Sequence, residues 1–406
     1  MLVAVIAASA VVLALLLPRS GAPPWPMLIL IGAGFLLWQL TAPQAERADR
    51  AFLPLVAALY TFGVLTISRI DPRLGAHHTI NMLVGLVIVI AGQRFYERYE
   101  RLARVTYPWV VISLALFVLL RFFGRDVNGA KLWFSFSVFN VQPVEFIKLF
   151  MVFFMAAYLA RNGEAIATLR FSSLGENLRL FGPLLLAWGV SILSLALQHD
   201  VGMAILFLSI FAVMLYAASR RLDVVLLSAL IFAASMWLVA AHYPYVQTRL
   251  AVWRDPWSDP LGRSYQAEQG FFSLAAGGLL GTGYHLGHPN FIPDAASDYV
   301  FAALAEEFGL LGGLTVLALY LALVVRAMRT AFYAADRFTS LLATGFAAAL
   351  AVQVLVIVGG VVGLLPLTGI TLPFISYGGS SLVANLLMIN LLWLFSRKPR
   401  EPAPAH

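Results

Sequence analysis

Cysteine is absent from the 406 residues. That excludes disulfides and thiolate metal sites, so loops outside the core are ordered by packing and hydrogen bonds alone. Charge is scarce as well: Asp, Glu, Lys and Arg make up 12% of the chain, against about a quarter in a soluble domain. There is no Walker motif, no dinucleotide fingerprint and no HExxH helix, which leaves ATP-driven transport and zinc hydrolysis without support. What is present is apolar, with 61% hydrophobic residues and a mean hydropathy of +0.86. The composition predicts an all-α polytopic membrane protein.

Apolar runs fall near 2–17, 27–42, 51–67, 80–92, 107–123, 147–160, 181–197, 201–218, 222–241, 299–325, 339–365 and 383–396, about twelve predicted spans. Several are shorter than the roughly 20 residues that cross hydrocarbon, so their ends are expected to extend into the flanks. The first run lacks a basic start and a small-residue cleavage site and is read as a retained helix.

The net charge of +7 raises the question of nucleic acid, and the placement of the basic residues answers it. With the N-terminus inside, every inner segment is basic: Arg47 and Arg50; Arg94, Arg98, Arg101 and Arg104; Arg161, Arg170 and Arg179; Arg220 and Arg221; Arg326, Arg329 and Arg337; and Arg397, Lys398 and Arg400. This is the positive-inside pattern, and it needs no nucleic acid. It puts both termini in the cytoplasm and the long polar interval 242–300, between the ninth and tenth predicted spans, on the outer face.

Polar residues that interrupt apolar runs are costly at membrane depth and tend to be functional. In 129–150 a short amphipathic stretch leads through Gln142 and Pro143 into a span, with Glu145 and Lys148 three apart on one helical face. They read either as a self-neutralising ion pair or with Lys148 as a phosphate ligand, and spacing alone does not separate these. Gln198-His199-Asp200 reads as a turn with Asp200 capping the next helix. In 363–382 the paired glycines and serines, Gly378 to Ser381, suit either close helix packing or a backbone nest for an anion.

The interval 242–300 is the one long polar stretch, and such loops usually carry function. Asp298 stands at the start of an apolar run, where partial burial raises a carboxyl pKa toward the range of a general base. Asp255 and Asp259 sit among prolines as Asx turns. Glu306 and Glu307 lie further along the same run and read as a polar lock between helices.

The ordered motifs QPVEFIK, QHDVG, DPWSDPLGRSYQ, GLLGTGYHLG, IPDAASDYVFAALAEEFGLLG and PLTGITLPFISYGGSSL strongly resemble the SEDS family, which takes in RodA, FtsW and SpoVE. The resemblance spans roughly residues 50–396. It implies a core of about ten helices that polymerises lipid II into peptidoglycan glycan strands on the outer face of the cytoplasmic membrane. It also implies a class B penicillin-binding protein as transpeptidase partner, with a slight preference for the elongation, RodA-like branch over division. The division of the chain is then 1–46 for two additional N-terminal transmembrane helices, 47–396 for the core with its outer loop, and 397–406 for a cytoplasmic tail.

Carried over by position, the family's essential acidic residue falls on Asp298, the catalytic candidate. Its QPSE-type motif falls on Gln142, Pro143 and Glu145 with Lys148 following, a motif tryptophan on Trp133, and its SYGGSS element on Ser376, Gly378, Gly379 and Ser380. Departures are Leu132 where members commonly have Arg, Val144 for Ser, and Tyr299 and Ser297 flanking Asp298 in place of Phe and Thr. In the implied mechanism Asp298 takes a proton from the attacking sugar hydroxyl, and Lys148 and Arg249 receive the leaving lipid pyrophosphate. No cofactor signature is present; a divalent cation, Mg or Mn, is the one cofactor this chemistry admits, held by carboxylates and substrate phosphates.

Overall fold

The computed structural model describes residues 25–41, 48–93, 105–127, 130–136, 140–168, 180–187, 189, 200–223, 225–230, 233–234 and 243–397. The run at 2–17, most of 181–197, parts of 222–241 and residues 398–406 lie outside them. In chain order the elements are α1 Trp25–Thr41, α2 Phe52–Ile70, α3 Pro72–Gly92, α4 Tyr107–Phe123, a small sheet, α5 Pro143–Thr168, α6 Val201–Ser219, α7 Pro244–Arg254, α8 Tyr265–Gly277, α9 Val300–Phe332, α10 Arg337–Val361 and α11 Gly379–Phe395. Six of these, α2, α3, α5, α6, α9 and α10, are long and apolar enough to cross a membrane, and α1, α4 and α11 are shorter apolar helices. The protein is a polytopic helical membrane protein, and the helices do run beyond several of the apolar cores read from the sequence.

The amphipathic stretch ahead of α5 forms a small sheet. Strands β1 Arg125–Val127, β2 Ala130–Ser135 and β3 Asn140–Val141 pair antiparallel in the order β1-β2-β3, with Arg125 opposite Trp133 and Phe134 opposite Val141. The cause is visible in the alternation of Phe134 and Phe136 with Ser135 and Ser137, a period of two that suits a strand.

The chain divides into two compact units. In the unit of residues 94–244, 327–352 and 390–406, α5 is the central helix, packed on α4 and α6. Trp109 of α4 stacks on Phe150 and Phe153 of α5 at 5.6 and 4.9 Å, and Phe346 of α10 meets Phe153 edge-on at 5.9 Å. Asp200 caps α6 by accepting from Met203 N at 3.0 Å.

The unit of residues 1–93, 245–326 and 353–389 holds α1 to α3, α7, α8 and most of α9. The α2–α3 junction is one residue long: Asp71 caps α3 through Arg73 N at 2.7 Å, and Pro72 opens the helix where its missing N–H costs nothing. Further along, α9 is broken at Gly309, whose φ is 69°. The carbonyls of Glu306 and Glu307, released from the helical ladder, accept from Thr282 N (2.9 Å) and Gly283 N (3.1 Å). The amides of Leu310 and Leu311 donate in turn to Gly278 O (2.9 Å) and Leu279 O (3.2 Å). Segment 278–283 is thus spliced into the ladder of α9, and these four backbone groups at the break find protein partners, as an apolar surrounding demands.

The side chains beside the break close the same splice. Arg69 of α2 donates through Nε to Glu307 Oε1 at 3.0 Å and through Nη2 to Gly287 O at 2.8 Å, while Glu306 Oε1 accepts from His288 N at 2.6 Å. The carboxylate pair therefore locks α9 to α2 and to segment 278–288. A Cβ at Gly309 would lie 2.3 Å from Gly281 N. Gly309→Ala is accordingly expected to destabilise the protein by more than about 2 kcal/mol, from left-handed backbone strain plus the displaced splice, read as a lowered melting temperature of the purified protein.

Candidate functional site

Asp298 ends a tight turn just before α9. Its amide and that of Ser297 both donate to Asp294 O, at 3.0 and 3.1 Å, and Asp294 takes the left-handed φ of 52° that the turn requires. Tyr299 is buried beneath the turn against Gly270 of α8, where an added Cβ would meet the ring at 2.4 Å. The Asp298 side chain is half-buried. Burial pushes its carboxyl above the usual aspartate range; the Ser297 hydroxyl and the Arg249 guanidinium oppose the shift, and Asp294 adds to it. Burial and the adjacent Asp298 charge push the Tyr299 phenol up to about 12.

Arg249 faces Asp298 from α7. A Cβ placed on Gly369 would stand 3.2 Å from Arg249 Nη2 and 3.4 Å from Asp298 Oδ2, so both groups lie over this backbone. Gly369 also has a φ of 74°. The guanidinium donates from Nη1 to Leu367 O at 2.7 Å and lies over the Tyr245 ring with Cζ 4.5 Å from its centre. Among the described residues no salt bridge closes between Arg249 and Asp298, although the two charges act on each other.

Beside them a cleft of about 270 Å³ runs between α7, α8 and the chain that follows α10. Its polar lining includes Arg249, Arg263 and Gln266, and its apolar lining Trp253, Phe271 and Leu365. Tyr299 and Arg249, the neighbours of Asp298, border it. A cleft lined by both guanidinium groups and apolar side chains suits an amphiphile with an anionic head.

The remaining candidates separate by what they touch. Ser376 and Asp298 are brought together indirectly: Ser376 Oγ donates to Ser297 O at 2.6 Å and accepts from Leu372 N at 2.8 Å, and Tyr377 N donates to Ala296 O at 2.8 Å. Gly378 and Gly379 serve close packing, since an added Cβ would meet Thr371 Cγ2 at 3.2 Å or Asn81 Nδ2 at 2.9 Å. Ser380 is buried in the first turn of α11. In the other unit Gln142, Glu145 and Lys148 gather at the start of α5. Lys148 Nζ and Glu145 Oε2 are 2.8 Å apart with both side chains buried, and Gln142 and Trp133 of β2 are half-buried.

The acidic residues of the Pro-rich turn are used locally. Asp255 accepts from Trp257 N at 3.2 Å, and Asp259 accepts from Arg263 N at 3.1 Å, which holds its carboxyl below the usual range. Sequence reasoning passed over Arg69, Tyr320 and Gln353. Each is a polar residue inside or ending an apolar run, a signal that was available but could not say what the side chain would reach.

These features define a polytopic α-helical membrane protein with a half-buried carboxylate and a guanidinium set beside a cleft of mixed cationic and apolar lining. A profile of the FtsW, RodA and SpoVE proteins, described as cell cycle proteins, matches residues 50–401. The chain is 35% identical over 408 residues to the peptidoglycan glycosyltransferase RodA of Mycobacterium tuberculosis, spanning 93% of this chain and 85% of that one. It is 34% identical over 293 residues to stage V sporulation protein E of Bacillus subtilis, 72% and 78% of the two chains. Among solved structures, one on the coordination of polymerization and crosslinking by a peptidoglycan synthase complex aligns with a TM-score of 0.71 at 28% identity, over 86% of this chain and 98% of that one. The rod shape determining protein RodA of Thermus thermophilus aligns at 0.64 and 25% identity, over 87% and 98%. The chain belongs to the FtsW/RodA/SpoVE family.

Because burial raises the Asp298 pKa, its contribution to stability is full below the unfolded pKa and is lost as pH rises through the folded one. At neutral pH the folded protein therefore carries a costly charge. Asp298→Asn removes it and is expected to melt at the same temperature as wild type or higher at pH 7.5, with the advantage disappearing toward acid pH; scanning calorimetry across that range checks the sign.

Proposed function

We propose that the protein is a peptidoglycan glycosyltransferase of cell-wall synthesis that joins lipid-linked disaccharide units, lipid II, into glycan strands, with its cleft on the outer face of the cytoplasmic membrane and both termini inside. The observation that carries the reading is the Asp298 carboxylate facing Arg249 over Gly369 at the edge of the cleft. The resemblance to peptidoglycan glycosyltransferases supports the reaction class, and the basic residues of the inner segments support the orientation. The 35% identity to RodA of Mycobacterium tuberculosis favours the elongation branch.

In the reaction a sugar hydroxyl of one lipid-linked substrate attacks the anomeric carbon of another, and a lipid pyrophosphate leaves with inversion. Asp298, held above the ordinary aspartate range by burial, accepts the hydroxyl proton as the new glycosidic bond forms. Arg249, fixed by Leu367 O and the Tyr245 ring, meets the negative charge that develops on the departing pyrophosphate, and the apolar walls of the cleft take the first part of the lipid. The buried Lys148–Glu145 pair of the other unit, by contrast, satisfies its own charges within α5. A divalent cation in this reaction would be held by carboxylates and substrate phosphates and would supply charge for the departing pyrophosphate. A class B penicillin-binding protein that crosslinks the strands is the proposed partner, in keeping with the peptidoglycan synthase complex to which the fold is similar.

The test is glycan-chain formation from labelled lipid II by the purified protein with its penicillin-binding partner, with moenomycin present to silence other polymerases. Asp298→Asn is expected to lower the rate by about 10²- to 10⁴-fold, and Arg249→Gln by roughly 10²-fold. The acid limb of kcat/KM in wild type is expected above the ordinary aspartate range, because the base works only when ionised. Near-normal polymerisation by Asp298→Asn sinks the assignment; transport of lipid II across vesicles without polymerisation makes the protein a translocase instead.

A further inference from the structure

The chain between α10 and α11, residues 362–378, touches both reacting groups. Leu367 O holds Arg249, the Gly369 backbone lies beneath the guanidinium and the Asp298 carboxylate, and Ser376 and Tyr377 hold the carbonyls of Ser297 and Ala296. One segment thus sets the separation of the carboxylate and the guanidinium.

That segment is itself irregular and has to be held from behind. Its carbonyls do not pair within a helix, and Phe374 has a left-handed φ of 68°, a conformation that a bulky residue keeps only when its surroundings impose it. The holders are side chains of neighbouring helices. Gln353 of α10 donates through Nε2 to Thr371 O at 2.8 Å, and the Tyr320 hydroxyl of α9 donates to Pro373 O. Gly63 of α2 lets the chain lie directly on that helix, since a Cβ there would be 2.7 Å from Phe374 O and 2.8 Å from Ile375 Cα. Gln353 and Tyr320 are buried, and neither lines the cleft.

We propose that Tyr320 and Gln353 are positioning residues for glycosyl transfer: by fixing the carbonyls of Pro373 and Thr371 they hold segment 366–377 in the one conformation that sets Asp298 against Arg249. This rests on the assignment of Asp298 as the base. Geometry supports the scale of the effect, because an error of about 1 Å in a reacting group costs about 10²-fold in rate. Neither residue changes the charge around the carboxylate directly; the charged and titratable groups that act on Asp298 are Arg249, Asp294 and Tyr299. Releasing the segment loosens the Ser376 tether, admits water to Asp298 and lets its carboxyl fall toward the ordinary range.

Tyr320→Phe removes one oxygen, and Gln353→Met keeps the chain length without the donor. Each is compared with wild type and Asp298→Asn in the full-length protein, using labelled lipid II. Expected for both is a kcat lower by about 10-fold or more, a KM within about twofold, and an acid limb of kcat/KM moved to lower pH. A smaller folded fraction alone would lower the rate and leave the limb where it was. Hydrogen exchange, which needs no activity, is expected to quicken in peptides covering 292–299 and 371–377 in either variant. Wild-type kcat, acid limb and exchange in both variants, with Asp298→Asn inactive, overturn the positioning role and leave the base assignment intact; an active Asp298→Asn removes the base assignment and this proposal with it.

Discussion

Backbone groups that leave a helix inside an apolar protein must find protein partners, because no water is at hand to take them. Two segments of this chain do so, and the site is built on both. Segment 278–283 completes the broken ladder of α9, and segment 362–378 is tied to Gln353, Tyr320 and Ser297. The first fixes the part of α9 that follows Asp298. The second fixes the turn that precedes it. Asp298 is therefore held from both sides by backbone hydrogen bonds, and its carboxylate is not closed into a salt bridge.

Charge is handled by the same economy of partners. Lys148 and Glu145 lie buried at 2.8 Å and neutralise each other within one helical turn, and Arg69 pairs with Glu307 at 3.0 Å. Breaking such a buried pair is costly, on the order of 3–5 kcal/mol, because the remaining charge has no solvent. Asp298 is not closed into such a pair. Burial raises its pKa, and the Arg249 guanidinium that faces it opposes the shift without a salt bridge. A protein that keeps a carboxylate under those conditions gives up stability at that position, as functional sites commonly do.

Much of this was legible in the sequence. The apolar helices among the described residues, the Asp200 cap, the Asx turn at Asp255 and the lock formed by Glu306 and Glu307 all follow from local chemistry that acts over a few residues, and the structure shows them. Asp259 accepts from Arg263 N four residues on rather than closing an Asx turn. The sheet ahead of α5 was missed, although Asn128-Gly129 between apolar residues is a hairpin signal. Gln353 and Tyr320 were missed for a different reason. Each meets its partner carbonyl across a sequence gap, 18 residues for one and 53 for the other, and a lone polar residue in an apolar run announces only that it has a partner, not which one. Ser376 entered through the resemblance, as part of the SYGGSS element; the bonds its hydroxyl makes to Leu372 N and Ser297 O are contacts that a motif does not announce.

The carboxylates show what structure adds to a motif. Sequence offers Asp255, Asp259, Glu268, Asp294, Asp298, Glu306 and Glu307 within about fifty positions, and it ranks them only by local position, with Asp298 at the start of an apolar run, and by the resemblance. Geometry does so by occupation. Asp255 and Asp259 accept turn amides, Glu306 accepts His288 N, Glu307 is paired with Arg69, and Asp294 is exposed with its carbonyl serving the turn. Glu268 is buried on α8 with one carboxyl oxygen unpartnered, and within its unit it lacks what Asp298 has, a guanidinium facing it over a glycine. A base must be able to give up its proton where it stands and to act next to the charge that the leaving group develops. Of these seven carboxylates Asp298 alone meets both conditions, because the segment that holds its backbone also holds Arg249.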